Sequence, residues 1–340
     1  MPLRHAAIAV TACGILAWSI PASAGQERPR TPWGAPDLQG IWNNSTTTPL
    51  EQMTDEEVAQ GRAAERPVME ATRGTGAAFP EQGGALEQPS LIVDPPSGRI
   101  SMTSKAVERL VARENARAGR GESDSWLDRN SWERCLTRTL PVGMIPNLYN
   151  ANYQIFQTPD YLVLVMEMIH EARIIPLDGR PHASGGIRQW LGDSRGHWDG
   201  DTLVVETLHF NDKLDGGDHQ PSHVLQTGHR GTGETLKLVE RFTLIDANTI
   251  DYRFTVDDPE TYTRPYTASI PMDRTASDVT LFEYACHEGN YGMVNLLHAG
   301  RNDEEQALKL AALVSQQRKD AGHPGVREPA VPFVPVDTQP

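Results

Sequence analysis

Residues 149–175 read YNANYQIFQTPDYLVLVMEMIHEARII. Two runs rich in Tyr, Ile, Val, Leu and Phe flank Thr158-Pro159-Asp160, and such a turn between β-type runs predicts an antiparallel hairpin. Pairing Gln157 with Tyr161 puts Asn150, Asn152, Gln154 and Phe156 on one face with Leu162, Leu164, Met166, Met168 and His170. The opposite face then carries Tyr149, Tyr153, Ile155, Val163, Val165, Glu167, Ile169, Glu171 and Arg173. A strand apolar on both sides is expected in the middle of a sheet. Ionisable groups nevertheless stand on both faces, and an unpaired buried carboxylate such as Glu167 is costly. Two readings stay open. Either the polar groups belong to a small-molecule pocket within an apolar lining, or Glu167 pairs with Arg173 in a buried structural network.

Downstream, residues 187–198 and 202–207 flank Asp199-Gly200, a tight-turn signal, and predict a second hairpin. Further strands are expected at 236–244, 249–256, 266–272 and 281–287. Between them, 210–233 is an unusually long loop holding His219, His223 and His229. Upstream, the prolines of 26–50 exclude a long helix but leave room for one short strand at 38–42. Thr54 caps a helix that Pro67 ends, 91–93 reads as a short strand with 100–103 returning, and Ser104 caps a second helix to about residue 118. At least seven closely spaced strands with few helices predict an all-β chain, either a lipocalin-like antiparallel barrel or a sandwich. The barrel is favoured, because closure hides strand edges and leaves an interior for a pocket. The expected organisation is an N-terminal arm with two helices over 25–148, a barrel core over 149–300, a C-terminal helix over 301–322 and a disordered Pro-rich tail over 323–340.

The N-terminus is expected to be removed. Arg4 supplies a positive start, residues 6–18 an apolar stretch and Ala22-Ser23-Ala24 a small-residue cleavage site, the pattern of a secretory signal peptide cut after Ala24. The mature protein is then periplasmic or secreted and has no membrane span. It keeps two cysteines, Cys135 and Cys286, and an even pair in an oxidising compartment predicts one disulfide. The formal charge of −14 argues against nucleic-acid partners, which require clustered Lys and Arg.

Several segments resemble a family of exported, largely uncharacterised bacterial β-rich proteins: TPWGAPDLQGIWNN from Thr31, the stretch from Tyr149, IRQWLGDSRGHWDGDTLVVET from Ile187, VERFTLIDANTIDYRFTVDDPETYTRPY from Val239 and FEYACHEGNY from Phe282. The resemblance implies membership and export, and brings no activity or catalytic residue with it. The loop before Val239 looks longer here than in that family, which implies that His219, His223 and His229 sit on an insert.

No H-E-x-x-H, G-x-S-x-G, P-loop or dinucleotide fingerprint is present, so zinc hydrolases, serine hydrolases and nucleotide enzymes lose their main sequence support. What remains is acid–base chemistry. His170, His287, Glu288 and Glu167 are the candidates to take and give protons. Asn150, Asn152, Tyr153, Gln154, Arg173 and Arg188 are the candidates to bind and orient a substrate. The expected function is a cofactor-independent lyase, isomerase or hydrolase acting on a small organic molecule. The alternatives are a lipocalin-like carrier and a metal enzyme using His and Glu ligands; adjacent strand residues point to opposite faces, so His170-Glu171 makes a poor ligand pair and no metal is assigned.

Overall fold

Leu162, Leu164 and Met166 are buried while Tyr161, Val163 and Val165 between them are half-buried, the alternation of a strand with one face on a core. The computed structural model describes residues 28–57, 83–116, 119–121, 123–146, 150–213, 233–276, 278–288 and 290–320. The expected signal peptide, the three histidines of the long loop and the expected C-terminal tail lie outside the described residues.

The strands are β1 (Gly40–Asn43), β2 (Ile92–Asp94), β3 (Asn152–Gln157), β4 (Tyr161–Met166), β5 (Ala172–Pro176), β6 (Asp193–Asp199), β7 (Thr202–Leu208), β8 (Lys237–Leu244), β9 (Thr249–Asp257) and β10 (Tyr266–Arg274). Their hydrogen-bonded order is β5-β4-β3-β1-β10-β9-β8-β7-β6, with β2 also on β10. Every ladder is antiparallel, so the chain is a nearly closed antiparallel barrel with peripheral helices. β3 to β10 follow one another as a meander. The N-terminal arm, expected to wrap the barrel, instead completes it: β1 pairs with both β3 and β10, placing Trp42 opposite Tyr153 on one side and Arg274 on the other.

The remaining seam lies between β5 and β6, where no ladder is formed among the described residues. Gly196 lets the two approach, since a Cβ there would stand 2.6 Å from Leu177 and 3.1 Å from Ile175. Gly200 turns β6 into β7 with φ +61°, a backbone region open to glycine at little cost. Inside, aromatic rings fill the barrel in series: Phe242 on Tyr252 at 4.8 Å, Tyr252 on Phe254 at 6.1 Å and Phe254 on Tyr266 at 6.4 Å between centroids. Burying each such side chain is worth roughly 1.5–3 kcal/mol.

Several expectations are corrected. The hairpin pairs Gln157 with Leu162, not Tyr161, because residues 158–161 close a four-residue turn in which Thr158 N–H donates to Tyr161 O at 2.8 Å. The one-residue shift exchanges the faces: Tyr153, Ile155 and Gln157 point inward with Leu162, Leu164 and Met166, while Gln154 and Phe156 point out. The outer face is partly in solvent, with Phe156 47 % and Ile174 65 % exposed. The strand ends at Met166, since Ile169 and His170 take left-handed backbone angles (φ +62° and +48°) and turn the chain before β5. In the second hairpin the first strand is Asp193–Asp199 alone, and 187–192 is loop.

Residues 281–287 are not a strand: the barrel ends with β10, and this segment runs irregularly to a helix that begins at Tyr291, not 301. We number the two helices α1 (Ser104–Ala116) and α2 (Tyr291–Asp320). The cap of α1 is Thr103, whose Oγ1 accepts Ala106 N–H at 3.1 Å, not Ser104. Thr54 does open a helical turn, in a reciprocal cap with Glu57, and the rest of that helix lies outside the described residues.

Candidate functional site

The left-handed turn after β4 brings the central stretch into contact with the far end of the chain. His170 Nδ1 lies 2.7 Å from Tyr284 O, and the His170 and His287 rings are 5.9 Å apart. The Cys135–Cys286 disulfide holds that far segment in place, with Cα atoms 5.7 Å apart across 151 residues of sequence. A carbonyl only accepts, so Nδ1 carries the hydrogen, and in the neutral ring Nε2 keeps a lone pair. His170 and His287 are both exposed.

Tyr284, whose carbonyl His170 meets, also lines a cleft of about 570 Å³ with Trp132, Glu133, Glu288 and Tyr291 among others; the two histidines themselves are not among its lining residues. Such a volume suits a small organic molecule. Glu133 is tied to Arg129 at 2.5 Å, whereas Glu283 and Glu288, which also line the cleft, form no ion pair among the described residues.

A second polar cluster lies behind the first, where residues 137–146 cover one end of the barrel. Asn43 Nδ2 donates to Asn152 Oδ1, and Asn152 Nδ2 donates to Glu167, both at 2.8 Å. Glu171 accepts the main-chain N–H of Arg138 at 2.9 Å. Burial raises the Glu171 carboxyl above its usual range against the opposing pull of Thr137 and Arg138. Tyr153 donates its hydroxyl to Gly143 O at 2.9 Å, and burial pushes that phenol up to about 12.

The structure therefore brings His170 and His287 together on the outside, with Glu288 following His287 in the chain and lining the cleft, and Asn152, Tyr153 and Glu167 within. Four predicted site residues join neither group. Arg173 is inside the barrel on Glu240, so the Glu167–Arg173 pair, one of the two readings left open, does not form: the two stand on opposite sides of the left-handed turn, and each meets a different partner. Gln154 faces outward, and Asn150 is half-buried at a left-handed position (φ +53°) before β3. Arg188 holds the loops at Phe210 O and Glu234 O, each at 3.1 Å. Of the tryptophans, Trp42 is wholly buried and donates to Leu38 O at 2.8 Å, a core role.

Trp132, which lines the cleft, was not singled out by sequence reasoning. The one available signal was closeness to Cys135, whose bridge to Cys286 brings the two segments together. Among the described residues no three His, Cys, Asp or Glu side chains are grouped to hold a metal ion, and no helix is long and apolar enough to cross a membrane. No family model, curated protein or solved structure matches the chain.

Proposed function

We propose that this is an exported, cofactor-independent acid–base enzyme, a lyase, isomerase or hydrolase, acting on a small organic molecule held in the outer cleft. His170 is its base, and His287 or Glu288 returns the proton. The observation that carries this reading is the hydrogen bond from His170 Nδ1 to Tyr284 O: it fixes the tautomer that leaves Nε2 able to accept a proton on an exposed edge. The disulfide supports the reading by tying the two halves of the cleft together, and it suits a periplasmic or secreted protein cut after Ala24. Glu167, held by Asn152, positions the turn that carries His170 and does not reach substrate.

A non-catalytic carrier is the second reading, favoured by the aromatic rings of Trp132, Tyr284 and Tyr291 in the same cleft. Even a carrier binds there and not in a lipocalin-like chamber, because the interior is occupied by its own rings. The test begins with mass spectrometry of the protein from its native host, to identify the bound molecule. His170→Asn is then expected to abolish its turnover while leaving its affinity largely intact, since asparagine keeps polarity and cannot shuttle a proton. A folded, fully active variant excludes His170, and a wild type that binds without turnover establishes the carrier.

A further inference from the structure

Among the described residues, α2 meets the body of the molecule along its first turns alone. Met293, Leu297 and Gly300 are half-buried, a Cβ on Gly300 would stand 2.4 Å from the Ser123 side chain, and Arg301 donates to Asp124 O at 2.6 Å. Beyond that point every residue of 302–320 except Ser315 is exposed. At 1.5 Å per residue this segment is a rod of about 28 Å. A helix that packs on nothing has only its own propensity to hold it, and most helical stability in proteins comes from burying an apolar face.

The projecting part carries such a face. Ala307, Leu310, Ala311 and Val314 follow an i, i+3, i+4, i+7 pattern, and their stripe continues the row of Met293, Leu297 and Gly300. Leu308 and Leu313 flank it. Leu308, Leu310, Leu313 and Val314 are 69 %, 63 %, 63 % and 39 % exposed. Charge is ordered along the same rod: Asp303, Glu304 and Glu305 precede the apolar turns, and Arg318 and Lys319 follow them. A surface with acid at one end, base at the other and an apolar middle is complementary to itself when turned end for end.

We propose that α2 pairs antiparallel with α2 of a second copy of this chain, about a two-fold axis that passes beside Ala311. Leu310 of each copy then meets Val314 of the other, and Glu304 meets Arg318 of the other from beside the apolar seam, where charges set the orientation of paired helices. The two bodies lie at opposite ends of the paired segment. Parallel pairing would lay acid on acid and base on base, and would align the helix dipoles where the antiparallel arrangement opposes them. Within its own chain Glu304 meets Arg301 at 3.1 Å, with both side chains about half exposed, and such a surface pair yields readily. A lipid surface is the poorer occupant, since a helix lying on one presents Lys and Arg along its polar face, and here three acidic residues stand in a row. Pairing through α2 requires neither ligand nor turnover and is independent of the cleft.

Sedimentation velocity of the full mature chain, over a concentration series reaching about 100 μM, should show a dimer at the top of the series that dissociates on dilution. Leu310→Glu combined with Val314→Glu should give a folded monomer throughout. Glu304→Lys turns two symmetry-related attractions into repulsions and should raise the dissociation constant about tenfold; adding Arg318→Glu should return it to within about threefold of wild type. A wild type that stays monomeric at the top of the series overturns the proposal, and binding of that monomer to phosphatidylglycerol vesicles would assign the face to lipid instead. A dimer that survives the two glutamate substitutions overturns it as well, and so does a charge reversal that fails to restore what the single change removed.

Discussion

Arg173 on β5 meets Glu240 on β8 inside the barrel, with N–O distances of 2.9 and 2.5 Å and side chains 2 % and 0 % exposed. Arg173 also reaches Ser194 on β6 at 3.3 Å and Thr207 on β7 at 3.4 Å, while Tyr252 donates to Glu240 at 3.0 Å. These bonds cross the seam where β5 and β6 share no ladder. The ion pair therefore closes the barrel with side chains where the backbone does not.

Removing either partner leaves the other charged and dry. Glu240→Gln or Arg173→Met is expected to cost about 3–5 kcal/mol, whereas the double variant Arg173→Met with Glu240→Leu should recover most of that loss, as apolar replacements of buried pairs do. Urea denaturation of the two single variants and the double variant provides the comparison. Single variants as stable as wild type would mean that water reaches the pair and that the seam is held by packing alone.

The disulfide ties the cleft to the barrel end. Cys286→Ser should lower stability by about 2–5 kcal/mol, the usual effect of losing a native bridge. It should also free Tyr284 O from His170, which the ring resonances of His170 report directly. Unchanged unfolding and an unchanged histidine signal would separate the bridge from the cleft.

Much of the barrel was legible because its signals are local. Thr158-Pro159-Asp160 and Asp199-Gly200 mark turns, alternation marks strands, and the two cysteines outside the expected signal peptide leave one pairing. What was not legible depends on partners far away in the chain. Gln157 reads as a strand end, yet its amide accepts Leu38 N–H at 3.0 Å and donates to Pro36 O at 3.1 Å, fastening the arm that supplies β1. The short strand expected at 38–42 is there as β1, Gly40–Asn43, but its place between the open edges of β3 and β10 is not written locally. Residues 281–287 have strand-like composition, but the bridge at Cys286 draws them outside. The one-residue slip of the hairpin carried the largest penalty, since it exchanged inward and outward side chains at once. The partner of Arg173 lies 67 positions away, beyond any local pattern.

Glu171 should give the barrel end a distinctive pH response. Burial raises its carboxyl in the folded state, so the folded chain binds this proton more tightly than the unfolded chain does. From the ordinary carboxylate value up to the raised one, stability falls as pH rises, opposite in sign to a salt-bridged carboxylate. Above that window the wild type carries the full penalty of a buried charge. Glu171→Gln keeps an acceptor for the Arg138 N–H and removes the charge, so the two proteins should be nearly equal in acid and the variant more stable at neutral pH. Urea titrations of both, in carboxylate-free buffers from about pH 4 to about pH 8, give the difference directly. A variant less stable than wild type at neutral pH would mean that Arg138 and the hydrogen bonds to Glu171 outweigh the burial of its charge.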